Sequence, residues 1–196
     1  MGELAQATLF PSAQKHDPGG KVLLRIPAHW KSSAVFSPCE RYRYELSRIW
    51  NDVERPRLVL WLMMNPSVAD LEITDPTVAK CCRLSQRWGY DGVLIGNICA
   101  YRATDKQNLP ASIQDGTGPE NMSHLLQMAQ RGSLIVVAHG IVHTRQYNEH
   151  AAAVCKVIHS HGYRLNILRL SKSGVPCHPL YLPEDLAPTN WEPKRA

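Results

Sequence analysis

From Leu58 to Met64 every residue is apolar, seven in a row, and the run stops at Asn65-Pro66. A strand with one wet face alternates polar and apolar residues, so an unbroken run of this length reads as a strand covered on both faces. Sheets of that kind are built from strands joined by helices that lie on either side. The next segment fits the same pattern. Asp75-Pro76-Thr77 opens a helix, with Asp75 as N-cap and Pro76 in the first turn, and the helix runs through Cys81, Leu84 and Trp88 to a stop at Gly89.

The alternation continues along the chain. Gly92–Gly96 is a second buried strand ending at Asn97, and Ser123 to about Arg131 is a short helix after the polar loop Thr104–Asn121. Leu134–Ala138 is a third strand ending at His139-Gly140, and a helix follows from about Arg145 to His159. Tyr163–Leu170 is a fourth strand, ending in the loop Ser171–Pro179. Upstream, Tyr42–Trp50 mixes strand formers with charges, as a strand near a sheet edge does. The expected fold is therefore α/β: a three-layer sandwich around a central, mainly parallel sheet of about four strands.

Length and composition agree with one such domain. The chain has 196 residues, 44% hydrophobic and 20% charged, enough to bury a core without disulfides or a structural metal. Residues 1–20 read as a flexible leader, 21–182 as the domain, and 183–196, with Pro183, Pro188 and Pro193 around Trp191, as an extended tail. The six cysteines show no CxxC pair or zinc-finger spacing and read as reduced, mostly buried small residues. The start of the chain lacks a signal-peptide pattern, and no apolar stretch is long enough to span a bilayer, so a cytoplasmic protein without a membrane partner is expected. A net charge of +5 and a pI near 8.9 favour encounter with polyanions.

Ligands of parallel sheets bind where the strands end, so the polar residues just past each strand are the candidates. These are Asn65, Ser67 and Asp70; Asn97, Tyr101 and Arg102; His139; and Lys172, His178 and Tyr181. Each also has an ordinary structural use. Asn65, Asn97 and Asp70 suit turns, Asp75 suits a cap, and Arg41, Arg43 and Arg48 read as a solvated face. His139 and His143 are four apart, but Gly140 lies between them and no Glu is adjacent, so no metal site is assigned. The glycines form neither GxGxxG nor a P-loop, and no cofactor is expected.

These segments resemble a known family. Tyr42–Trp50, Asn65-Pro66-Ser67, Asp75-Pro76-Thr77, Trp88-Gly89-Tyr90, Asn97 with Ala100–Thr104, Gly118-Pro119 and His178–Tyr181 are similar, in order, to the bacterial family called domain of unknown function 1643. More distantly, strand-Asn-Pro, strand-Asn with a following basic residue, and a final His-Pro resemble the uracil-DNA glycosylase superfamily. That resemblance implies its fold and a metal-independent hydrolase of the nucleobase N-glycosidic bond, with nucleic acid, DNA in particular, or a nucleotide as partner. Asn65 would position the attacking water, Asn97 would hydrogen-bond the extruded base, and His178 would stabilise charge on the departing base. Asp70 is then the nearest acid after Asn65. Ser67, Tyr101, Arg102, His139, Lys172 and Tyr181 would contact substrate. The alternatives are a binding protein that keeps the pocket without the chemistry, and a protein-interaction module.

Overall fold

The computed structural model describes residues 24–67, 69–103, 108–142 and 144–193. The leader at 1–20, Thr104, Lys106 and His143 lie outside the described residues.

The unbroken apolar run becomes β4 (Leu58–Met63), every residue of which is buried. It sits at the middle of a seven-stranded sheet with β3 (Arg43–Ile49), β6 (Gly92–Asn97), β7 (Leu134–Val137), β8 (Leu165–Ile167) and two edge strands, β2 (Lys31–Phe36) and β9 (Thr189–Trp191). The spatial order is β2-β3-β6-β4-β7-β8-β9. A short pair, β1 (Leu24–Arg25) and β5 (Ile73–Thr74), stands apart. Pairing is parallel from β6 through β4 and β7 to β8, and antiparallel where β2, β3 and β9 join.

The sheet is thus mixed and larger than the expected four mainly parallel strands. Two of the additional strands lie where the pattern is weak. β2 alternates exposed and half-buried residues as an edge does, and β9 is three residues of the proline-bracketed tail.

Alternation along the strands separates two cores. Val59, Trp61 and Met63 face α1 (Pro76–Arg87) with Val93 and Ile95, while Leu58, Leu60 and Leu62 face the opposite layer. That layer holds α3 (Asn121–Arg131) and α4 (Arg145–Ser160), with α2 (Ile113–Thr117) beside α4. Each core is apolar and contiguous, which is what holds three layers together.

Helix α1 starts as its sequence predicts. Asp75 Oδ1 accepts from the Val78 amide at 2.8 Å and Pro76 takes the first turn. It ends at Gly89, whose φ of +76° is a left-handed conformation that a side chain would strain. Trp61 is wholly buried beneath α1, donating its indole N–H to Ser85 and stacking on Trp88 at 5.5 Å. All six cysteines are free thiols, four of them buried. Among the described residues no helix is long and apolar enough to cross a membrane.

Candidate functional site

β4 leads into α1 on one face of the sheet, whereas its parallel neighbour β7 leads into α4 on the other. Connections that leave adjacent strands toward opposite faces open a crevice between the strand ends. Here the last parallel rung pairs Leu62 with Val137, and the Ala138 amide still donates to Leu62 at 2.9 Å. Asn65 and His139 therefore stand just past that rung on neighbouring strands.

On the α1 side the strand ends are held around two buried arginines. β3 carries an extra residue: Val35 pairs with Glu45 and Phe36 with Arg43, so Tyr44 is a bulge. Strict alternation would send Arg43 and Glu45 to one face. The bulge instead leaves Tyr44 and Glu45 together against α3, where Tyr44 stacks on His124 at 4.8 Å and Glu45 pairs with His124 and Arg131. Arg43 is turned to the α1 side and donates to Ala69 O at 2.5 Å and Asn97 Oδ1 at 3.2 Å. Arg48, also on this side, donates to the carbonyls of Asp70 and Ile73.

This corrects the reading of Arg43 and Arg48 as a solvated face. They are 2% and 0% exposed, because β2 and β6 flank their strand and the 69–75 segment closes over it; only Arg41 is exposed. Neither forms a salt bridge with a described carboxylate, and the Nε of each is a buried donor with no partner there. Burial pulls the Arg43 guanidinium down to about 10, with Asp75 and Asp70 opposing that shift and Arg48 and Arg102 adding to it. The arginines hold a loop of backbone carbonyls and orient Asn97. The signal available in the sequence was arginine at both parities of one strand, which a single solvated face cannot accommodate.

Each residue of the expected trio has its own partner. Asn65 is half-buried, and its Nδ2 donates to Ala103 O at 2.8 Å and Pro66 O at 3.1 Å, tying the β4 loop to the β6 loop. Those two bonds fix which end of the amide is nitrogen and leave Oδ1 as an acceptor. Asn97 is 1% exposed with Oδ1 on Arg43, while its carbonyl accepts from Asn121. His178 opens a single 3-10 turn, Pro179–Tyr181, and its Nδ1 accepts the Leu180 amide at 3.4 Å. This turn packs on α1, where Lys80 donates to the carbonyls of Leu180 and Leu182.

The surrounding candidates divide between the two faces. Asp70 Oδ1 accepts the amides of Glu72 and Ile73, each at 2.9 Å, so this carboxylate shapes the loop that Arg48 holds. Ser67 lies in the same loop. Tyr101 bridges to Tyr42, their rings 6.1 Å apart, and Arg102 lies 5.0 Å over Phe36 with Nη1 on Glu40 O. Tyr181 is 82% exposed, 5.7 Å from the His178 ring. His139 has the other parity: it is buried, faces the α4 layer and lines a cavity there, while Lys172 is exposed on the adjacent loop. Gly140, at φ +67°, makes the turn past it. The α1 side thus gathers the loops of Asn65, Asp70, Asn97 and His178, and the α4 side takes His139.

Among the described residues no cluster of histidine, cysteine or acidic side chains is arranged to hold a metal ion. No curated protein and no solved structure matches the chain. One family profile does, described as Protein of unknown function (DUF1643), over residues 43–180. That match begins at the buried Arg43 and ends within the Pro179–Tyr181 turn, so that it spans Asn65, Asp70, Asn97 and His178, and on it the chain belongs to the DUF1643 family.

Proposed function

We propose that the crevice on the α1 side is a nucleobase site, and that the protein is a metal-independent hydrolase of the N-glycosidic bond in DNA, related in fold and residue order to the uracil-DNA glycosylase superfamily. The observation that carries this reading is Asn65. Its amide nitrogen is spent on two carbonyls at the end of β4, so that its oxygen is a fixed acceptor beside the strand ends. A fixed acceptor is what holding a water requires. Asn97 complements it. With Oδ1 taken by Arg43, the group it offers is Nδ2, a donor suited to a carbonyl on the base edge. His178 accepts the Leu180 amide at Nδ1, the tautomer that places the ring hydrogen on Nε2, and its role in this reading is to face the departing base.

The chemistry follows from those roles. The C1′–N bond breaks with its electron pair leaving on the base, where N–H donors stabilise the developing anion. The oxygen of the held water bonds to C1′, and its proton passes to solvent or to Asp70, whose Oδ1 is engaged in the turn and whose Oδ2 is left to accept. Extruding the base costs a few kcal/mol and leaves a gap in the stack. Tyr181, exposed and next to His178, is the side chain to fill that gap, and Arg102 and Lys172 are cations for the flanking phosphates.

The test is to incubate the protein with oligonucleotides carrying uracil, mismatched and modified bases and to measure abasic sites. The expected result is product from at least one substrate, reduced about 10²-fold or more in Asn65→Ala. No product across the panel, where a control glycosylase works, overturns the reading. A second reading, nucleic-acid binding without chemistry, is favoured by the same staple, since the Asn65 bonds also serve simply to close the loop. It requires salt-dependent binding that Asn65→Ala leaves unchanged.

A further inference from the structure

The far side of the sheet carries a cavity that the proposed reaction does not use. It has a volume of about 270 Å³ and lies between α4, the 174–176 loop and β9, with His139, Asn148, Ala152, Lys156, Val175 and Trp191 among its lining residues. It is slightly smaller than the pockets that hold drug-sized ligands, which sets the size of an occupant.

Its polar groups point to one ligand chemistry. No aspartate or glutamate is among its described lining residues. Asn148 is fully engaged with its own loop, its amide nitrogen on the carbonyls of Val142 and Thr144 and its oxygen on the Val142 amide. The indole N–H groups of Trp50, Trp61 and Trp88 donate within the fold, whereas those of Trp30 and Trp191 meet no acceptor among the described residues, and of these two it is Trp191 that lines the cavity. Lys156 likewise forms none of the described ion pairs. His139 is engaged at Nδ1 with the Gly140 carbonyl, and what Lys156 and Trp191 add is an ammonium and an indole N–H, both donors, set in apolar walls. A ligand that satisfies them brings acceptors and negative charge, and an indole wall favours a flat ring.

We propose that this cavity is a binding site for a small planar ring bearing one anionic oxygen group, a carboxylate or a phosphate, with Lys156 and the Trp191 indole holding the anion and the ring against the apolar walls. The site faces away from the Asn65 crevice, so it stands or falls independently of the proposed reaction.

Titration calorimetry on the full chain tests it with benzoate, phenyl phosphate, benzamide and acetate. Saturable one-to-one binding of benzoate or phenyl phosphate is expected, with benzamide and acetate about tenfold weaker or more. Lys156→Gln removes the charge, and Ala152→Phe fills the cavity from an exposed helix position that folding does not depend on; each is expected to weaken the anion about tenfold or more. The proposal is overturned if neither ring anion binds at millimolar concentration, if benzamide or acetate binds as well as benzoate, or if both variants bind like the parent.

Discussion

Arg43 is the residue on which the crevice turns, because one side chain spans the loop after β4 and the Asn97 amide. Burying a guanidinium without a paired carboxylate is costly, and the depressed Arg43 value is the same cost seen as proton affinity. Replacing it with a similar apolar side chain relieves that desolvation but leaves two acceptors short of a donor. These effects oppose each other, so Arg43→Met is expected to change stability by no more than about 2 kcal/mol in urea denaturation. The proposed base release is a different matter. With Oδ1 no longer held, Asn97 is free to turn, and the single-turnover rate is expected to fall about 10²-fold. Equal losses in stability and rate would make Arg43 merely structural. The composition of its strand was plain in the sequence, but its burial was not. Solvation of a strand face depends on which strands flank it, and the bulge at Tyr44 reverses the parity from which a face is read.

At the scale of elements, the buried strands and the α1 cap were legible because their signals are local: unbroken apolar runs, Asp75-Pro76 and Gly89. β2 and β9 were not, since edge strands draw their stability from pairing with a neighbour that is distant in the chain. The short α2 was likewise hidden in a polar loop. It is fastened to α4 by Thr117, whose Oγ1 donates to Ile113 O and lies 2.9 Å from His150 Nε2. Burial holds the His150 imidazole below its ordinary 6.5, partly opposed by a backbone hydrogen bond at Ile98. The native state therefore holds this ring neutral to lower pH than the unfolded chain does, and the unfolded chain takes up the proton first as pH falls. The contribution is complete above 6.5 and is lost progressively below it. His150→Gln retains a donor toward Thr117 and cannot titrate. The urea midpoint of the parent is therefore expected to fall more steeply than that of the variant between about pH 7 and pH 5; parallel curves would mean that the ring takes up its proton alike in the folded and the unfolded chain.

For the whole molecule, the division into two faces governs which strand-end residues can share a site. The ordered strand-end residues pointed to one shared crevice, but topology alone does not say on which side of the sheet each side chain lands. Strand parity and the two cores answer that, placing Asn65, Asn97 and the His178 turn with α1 and His139 with α4. The central claim is that a nucleobase is gripped on the α1 side by the Asn65 and Asn97 amides. The most direct measurement is a two-dimensional 1H–15N NMR titration of the full chain with a short uracil-containing oligonucleotide, following the side-chain amides of Asn65 and Asn97 and the indole N–H of Trp191. The account predicts saturable shifts of both asparagine amides with the Trp191 resonance unmoved. Shifts confined to Trp191 and its neighbours, or none at all, would contradict it.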